Sequence, residues 1–382
     1  MSDNNSTPRP FRIGLTLGDI NGTSYEVILK AFNDTRMMST MTPILYGQSK
    51  ALSYYKKNFG MDDFNYSLTR DARQSWNQKF NILNIIDQEL KIEPGTATEV
   101  SAEMAVLSHK KATEDLRDGY IDALVMAPAY RPIERTNLQY LFSFYKDAET
   151  LRVMVNDLMR VGLVTDDVPL RDAIAQIDPK RIAHKLLAFS NALKSDFNIT
   201  SPKIAVLGLD PYAGETKDEK DLVTAAVTVM RDKGVFAFGP FSASHLFESG
   251  QWRKYDGVLA MYHEQACLPI KLLSSVDCAC YWAGLPVLCT APLQGPEFDI
   301  ANTNKAEPGA FRRAVYLAYD IFNWNKWDNN TYNPYYISYS SYKFNSRSIS
   351  AGVTFRFGKM ELENRAREGG EDAGGATMGG GK

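Results

Sequence analysis

The sequence predicts an α/β fold in which helices cover both faces of a largely parallel sheet. From Phe11 to about Phe322, apolar runs of strand length alternate with segments whose apolar residues recur at helical spacing. The strand-like runs are rich in Val, Ile and Leu and break into Gly, Pro or polar residues, as buried strands do. At 382 residues, the chain is long enough for two domains or for one large α/β unit with a deep cleft.

The predicted elements follow one another as strand and helix. FRIGLTLGD and TPILYGQS are strands, and each precedes a helical segment, YEVILKAFND and ALSYYKKNF. SAEMAVLSHKKATEDLRDG is an amphipathic helix for which Ser101 is the predicted N-cap and Gly119 the predicted stop. DALVMAPA is the next strand, and two further helices are predicted in PKRIAHKLLAFSNALKSDF and EKDLVTAAVTVMRDKG. Because a helix can return the chain to the same edge of a sheet, this alternation favours parallel pairing.

Three loops at predicted strand ends carry polar side chains. They read VGLVTDDVPL, IAVLGLDPYAGE and GVLAMYHEQACLPIK, and they supply Asp166, Asp167, Tyr212, His263 and Glu264. Ligands of open α/β sheets lie just outside the carboxyl ends of the strands. We therefore expect the functional site at these loops.

Composition excludes several classes of partner. The formal net charge is -2 and no basic run is interleaved with aromatic residues, so we expect no nucleic-acid partner. No apolar stretch approaches the roughly 20 residues of a membrane helix, and the polar first residues do not resemble a signal peptide. We expect a cytoplasmic protein without a membrane partner.

The four cysteines are expected to be reduced, buried and structural. They crowd into one short stretch of the chain, at Cys267, Cys278, Cys280 and Cys289. A metal–thiolate site is the less favoured alternative, because the Cys-x-Cys spacing is not typical of zinc sites.

The ends of the chain differ in character from its centre. We predict a flexible N-terminus at residues 1–10. Residues 323–358 are rich in Tyr and Asn and predict a short β-hairpin-like appendage, which resembles the last strands of a bacterial outer-membrane β-barrel. Residues 359–382 form a glycine-rich tail that is expected to be disordered.

Between Arg12 and about Ile321 the chain resembles the 4-hydroxythreonine-4-phosphate dehydrogenase family of pyridoxal phosphate biosynthesis. The segments that carry the resemblance, in the family's order, are GLTLGDINGTSYEVI, TATEVSAEMA, DALVMAPA, RVGLVTDDVPLRD, GLDPYAGE, MYHEQACLPIKLL, GLPVLCTAP and FDIAN. The resemblance implies an isocitrate/isopropylmalate-dehydrogenase-like fold over residues 11–322, with two interleaved α/β subdomains flanking a cleft. It also implies a homodimer, oxidation of a small phosphorylated substrate by NAD, decarboxylation, and a divalent metal (Zn, Mg or Co) held by three histidines.

The resemblance also implies which positions hold the metal. The first metal histidine of the family corresponds to Asp167, the second corresponds to Tyr212, and the third is retained as His263. Tyrosine is a poor ligand because its phenol has a pKa of about 10. Since loss of a ligand or its support typically lowers metal affinity about 10–100-fold, we expect weak metal binding and little dehydrogenase activity.

For the substrate, the resemblance implies roles for Lys271 in the phosphate-binding region and for Asp19 near the first strand. The family's phosphate-binding Asn and Arg correspond to Cys280 and Cys289. From the residues alone, a structural histidine is the favoured interpretation of His263, and Lys271 could equally be a solvated surface lysine. Three functions stay open: a working dehydrogenase, a relative that binds a phosphorylated ligand or analogue without turnover, and a dimeric scaffold.

Overall fold

A single twelve-stranded sheet runs through the part of the chain that the computed structural model describes, residues 10–86, 90–211, 216–217 and 219–327. These residues belong to one unit, residues 1–330, and the second unit, residues 331–382, lies outside the described part. The strands are β1 Phe11–Thr16, β2 Met41–Gly47, β3 Ser67–Thr69, β4 Asn81–Asn84, β5 Ala123–Val125, β6 Leu151–Val155, β7 Arg160–Leu163, β8 Ile204–Leu207, β9 Ala237–Phe241, β10 Gly257–Ala260, β11 Ala279–Ala283 and β12 Leu288–Pro292.

Ten α-helices are found among the described residues. They are α1 Ser24–Phe32, α2 Ser49–Asn58, α3 Glu99–Arg117, α4 Arg131–Ser143, α5 Leu170–Gln176, α6 Pro179–Ser195, α7 Ala225–Asp232, α8 Ala243–Glu248, α9 His263–Leu273 and α10 Gly309–Trp327. A π-helical segment, Glu219–Thr224, leads into α7. None of the described helices combines the length and the apolar character that crossing a bilayer requires.

The predicted α/β fold class is confirmed, but the sheet is not parallel throughout. Its strand order is β3-β4-β2-β1-β5-β12-β11-β6-β7-β10-β8-β9. The outer strands pair in parallel, whereas β12–β11, β11–β6 and β6–β7 pair antiparallel. The reason lies in the connections: residues 156–159 join β6 to β7 and residues 284–287 join β11 to β12, and neither segment is long enough for a crossover helix.

Two apolar clusters hold the sheet, one on each face. Because side chains alternate along a strand, Leu45 of β2 packs into one cluster and its neighbours Ile44 and Tyr46 into the other. All four cysteines are buried in the second cluster and none forms a disulfide. The prediction that the cysteines are buried is therefore confirmed.

The structure corrects the predicted start of α3. The N-cap is Thr98, whose hydroxyl accepts a hydrogen bond from the Ser101 backbone N–H. Ser101, predicted as the cap, stands at the third helical position, where its hydroxyl accepts from the Thr98 backbone N–H. This reciprocal arrangement is a capping box in which Ser takes the place of the usual Glu or Gln. Gly119 follows the helix with φ +71°, as expected for a stop.

The predicted ends of the chain are described only in part. Helix α10 runs through the predicted boundary at residue 322 and continues to Trp327. The remainder of the predicted hairpin-like appendage, the glycine-rich tail at 359–382 and residues 1–9 lie outside the described residues. The division of residues 11–322 into two subdomains stays a prediction.

Candidate ligand-binding site beside the antiparallel centre of the sheet

Several strands bring their ends to one edge at the middle of the sheet. Leu163, the last residue of β7, pairs with Ala260 at the end of β10. Strand β6 runs the opposite way, so its second residue, Arg152, lies at that edge, paired with Trp282 of β11. The segments that follow β7 and β10 carry Asp167 and His263. Residues distant in sequence therefore converge there.

Asp167 is the centre of an ionic cluster at this edge. Its Oδ2 accepts a short hydrogen bond from Arg152 and lies 3.8 Å from a guanidinium nitrogen of Arg131. Its Oδ1 lies 3.4 Å from Nε2 of His263, and the same Nε2 lies 3.5 Å from Arg131. On the far side of the ring, Nδ1 of His263 lies 3.3 Å from the carboxylate of Glu264. Asp167 and His263 are thus neighbours, and a guanidinium group contacts both.

The charges of this cluster shift its pKa values. Burial alone would raise the pKa of Asp167, but the positive charges of Arg152, His263 and Arg131 outweigh it and hold that pKa below its ordinary value. A hydrogen bond with the Cys267 thiol, one helical turn along α9, raises the pKa of His263, and the Asp167 carboxylate adds to the effect. The cluster therefore favours an ionised Asp167 and a protonated His263.

Arg152 is the most buried charge at the site, with 8% of its side chain exposed. Besides Asp167, its guanidinium lies 3.8 Å from Glu134 of α4, hydrogen-bonds the Cys280 thiol and lies over the Trp282 ring at 5.7 Å. Burial raises the pKa of Glu134 in spite of the nearby Arg152 charge. A buried arginine held by carboxylates on two segments ties α4 to the segment after β7.

A cavity of about 560 Å³ opens between α4 and this edge of the sheet. Its charged lining comes from three arginines and three carboxylates, and Leu138, Phe142 and Trp282 contribute apolar surface. The charged residues are Arg131, Arg135, Arg152, Glu134, Asp166 and Asp167. A concave apolar wall with a few converging charged groups is typical of a site for a small polar molecule.

The structure places the other predicted site residues away from the cluster's centre. Asp166 follows the same strand but its side chain is 64% exposed, with Arg181 4.0 Å away. Lys271, predicted to follow a strand end, lies instead in the last turn of α9, half-buried. Its charge still acts on Cys267 and Glu134. Tyr212, the remaining predicted metal ligand, lies outside the described residues.

Asp19 has a structural role in its own loop. It is buried, with one carboxylate oxygen accepting from the Asn21 backbone N–H at 2.9 Å and the other from the Ser101 hydroxyl at 3.3 Å. Burial raises its pKa against those two hydrogen bonds. It does not line the cavity beside α4.

Reasoning from the sequence missed Arg131, Glu134 and Arg152. The helix that carries the first two follows DALVMAPA, where none was predicted. Arg152 could have been noticed in the sequence, because LRVMV is an apolar run with one arginine in it. A charge in a buried strand is rarely left without a partner. Its partner could not be identified without the strand register.

The described residues do not fit the divalent metal that the resemblance implies. Asp167 and His263 supply two donor groups, but both face guanidinium groups within 4 Å, which repel a cation. The His263 nitrogen would also have to be deprotonated to bind a metal, and the cluster stabilises its proton. In the described ranges, no group of three His, Cys, Asp or Glu side chains converges as a metal site.

Comparison with known proteins identifies the family. Residues 39–318 match the model of the pyridoxal phosphate biosynthetic protein PdxA. The chain is 36% identical to a 4-hydroxythreonine-4-phosphate dehydrogenase of Bacteroides thetaiotaomicron over 326 residues, which is 81% of this chain and 88% of that protein. A relative of the same name from Sulfurihydrogenibium sp. is 29% identical, covering 80% of this chain and 97% of that protein.

Solved structures agree with these matches. A 4-hydroxythreonine-4-phosphate dehydrogenase from Burkholderia phymatum superposes with a TM-score of 0.65 at 26% identity, covering 82% of this chain and 98% of that one. The enzyme of that name from Klebsiella pneumoniae has the same fold, with a TM-score of 0.65 at 24% identity over 82% of this chain and 99% of that one. The family model, the curated relatives and the shared fold agree, and the chain belongs to the PdxA family of pyridoxal phosphate biosynthetic proteins.

Proposed function

We propose that this chain is a 4-hydroxythreonine-4-phosphate dehydrogenase-like protein that keeps a ligand-binding cleft and has reduced or lost the family's dehydrogenase activity. The observation that supports this proposal is the pairing of Asp167 with Arg152. The resemblance implies a metal-binding histidine at position 167, and here that position carries a carboxylate neutralised by a buried arginine.

The chemistry explains why this pairing matters. When a hydride leaves a hydroxyl-bearing carbon, a ketone develops, and a metal stabilises its oxygen as a Lewis acid. Guanidinium groups can donate hydrogen bonds to that oxygen, but arginine cannot be deprotonated and so is a poor acceptor for the hydroxyl proton. We therefore expect the protein to bind a phosphorylated hydroxy compound or analogue but to oxidise it slowly or not at all.

The remaining features belong to the same proposal. They are binding of NAD, no more than weak metal binding at His263 and Asp167, a homodimer and a cytoplasmic location. A non-catalytic ligand-binding protein or a dimeric scaffold of the same fold is the alternative.

One titration series tests the proposal. NAD, zinc or magnesium, and 4-hydroxythreonine 4-phosphate are added singly and together in a calorimeter, while NADH formation is followed in parallel. We expect heat of ligand binding with NADH formation far below the roughly 1–10³ turnovers per second of ordinary enzymes. Turnover in that range would overturn the proposal, and silence with every ligand would favour the scaffold.

A second measurement addresses the metal directly. After dialysis against zinc and then against metal-free buffer, we expect less than stoichiometric zinc by elemental analysis. Stoichiometric zinc in the wild-type protein that is lost in His263→Ala would contradict the proposal. His184→Ala, which changes a half-exposed histidine on α6, is the matched control.

A further inference from the structure

We propose that Arg131 takes the position of a metal ion and makes the cavity beside α4 a metal-independent site for a small oxyanion, an organic phosphate or carboxylate. The inference deepens the proposed function, on which it rests: it names the group that holds the ligand in the cleft and the chemistry that the ligand must carry.

Arg131 lies against both side chains of the cluster that the resemblance assigns to the metal. Its guanidinium contacts the two side chains that correspond to metal ligands in the family, 3.8 Å from Asp167 and 3.5 Å from Nε2 of His263. An ion shared by that carboxylate and that imidazole would contact both side chains, and here one guanidinium nitrogen of Arg131 lies near the carboxylate and the other lies near the ring. A positive charge therefore still lies beside these two side chains, but it belongs to the Arg131 guanidinium group and not to a metal ion.

The neighbouring carboxylate, Asp167, leaves Arg131 available for a ligand. Asp167 already has a buried counter-ion in Arg152, so Arg131 is not needed to neutralise it. Arg131 lines the cavity and is 64% exposed, and its contacts with the cluster are long, so its guanidinium group is accessible to a ligand. A guanidinium group presents several N–H donors in one plane, which matches the oxygens of a phosphate or a carboxylate.

The size and lining of the cavity fit a small molecule with one charged end. The cavity of about 560 Å³ lies within the size range of sites for small molecules. Leu138 and Phe142 of α4 form an apolar wall opposite the charged edge. Such a cavity suits a small molecule with an oxyanion at one end and carbon atoms along the wall.

Arg231 supplies a control outside the cavity. It is an exposed arginine in the last turn of α7 and does not line the cavity beside α4. Replacing Arg131 or Arg231 by methionine removes one exposed positive charge, but only the first replacement removes a charge from the cavity.

The test is calorimetric titration of O-phosphothreonine, inorganic phosphate and malate into the full chain, in EDTA and again with zinc. We expect phosphothreonine or malate to bind in EDTA. Arg131→Met should weaken this binding about 10-fold or more, since the ligand loses a charge-assisted hydrogen bond. Arg231→Met should change it less than about 3-fold, because that charge lies outside the cavity and is screened. The affinity of Arg131→Lys should lie between those of wild type and Arg131→Met, because lysine keeps the charge and lacks the planar fork.

Each other outcome overturns the inference. Binding that requires zinc would show that a metal holds the ligand, and the proposed function would stand. Binding in EDTA that Arg131→Met leaves unchanged would place the ligand elsewhere, again without harm to the proposed function. If none of the probes binds with or without zinc, the inference fails, and the titration with 4-hydroxythreonine 4-phosphate separately decides the proposed function. Thermal unfolding of each variant confirms that it is folded.

Discussion

Replacing Arg152 by methionine should destabilise the protein far more than removal of a surface charge would. The side chain is 8% exposed and is the closest cation to Asp167. Asp167 and Glu134 are each about a quarter exposed, and without Arg152 these two carboxylates lose the positive charge that lies near both of them. Breaking a buried ion pair by removing one partner costs about 3–5 kcal/mol; because Asp167 keeps Arg131 and His263, we expect about 2–3 kcal/mol.

The assay is urea denaturation of wild type and Arg152→Met, followed by far-ultraviolet circular dichroism at neutral pH. The denaturation midpoint should fall while the slope stays constant, because little additional surface changes. The loss should shrink as the pH is lowered. In the variant, burial of Asp167 is no longer opposed by the Arg152 charge, so its pKa rises and the carboxyl accepts a proton before the fold is lost.

A double-mutant cycle with Asp167→Asn separates the pair from simple packing loss. If the cost of Arg152→Met comes from a stranded carboxylate, the double variant should be more stable than the sum of the two single losses indicates. Additive losses, or a single loss below about 0.5 kcal/mol as for ordinary surface substitutions, would refute the reasoning.

Three further predictions concern residues away from the cavity. Burial lowers the pKa of His109 to about 4. The stability that the neutral ring contributes above pH 6.5 should therefore be lost as the pH falls toward 4, by up to about 3 kcal/mol. Thermal unfolding between about pH 6.5 and about pH 4 checks this, and the dependence of the melting temperature on pH should be weaker in His109→Gln. Thr98→Ala should cost about 1 kcal/mol in urea denaturation and Thr98→Ser much less, since the serine hydroxyl can still cap α3. Gly284→Ala should lower the melting temperature more than Gly119→Ala does. Both glycines have a positive φ, but a Cβ added at Gly284 would lie 2.2 Å from the Glu149 carbonyl oxygen, whereas a Cβ added at Gly119 would meet no atom within 4 Å.

The fold could be predicted where local pattern decides it. The first strands and helices follow from alternating apolar runs, and the predicted stop at Gly119 follows from the backbone conformation that glycine favours. The antiparallel centre escaped prediction because it depends on two short connections, residues 156–159 and 284–287, whose flanking strands were not all recognised. Strand β6 was absent from the predicted elements, and the strand order around it was therefore out of reach.

The site divides in a similar way. The rule that ligands lie beyond the carboxyl ends of parallel strands placed Asp167 and His263 at one edge, and the structure puts their closest atoms 3.4 Å apart. The arginines could not be found by that rule, because Arg152 comes from the start of an antiparallel strand and Arg131 from the start of a helix. Which ligand Asp167 and His263 can bind depends on these neighbouring arginines, and the order and register of the strands decide which residues become neighbours.

The pairing of Asp167 with Arg152 also couples the two positions, so that a change at one alters what the other can be. A histidine in place of Asp167 would remove the carboxylate and bring two guanidinium groups against two imidazoles. A neutral residue in place of Arg152 would leave Asp167 and Glu134 without their shared buried counter-ion. Redesign of this edge of the sheet therefore has to change positions 152 and 167 together.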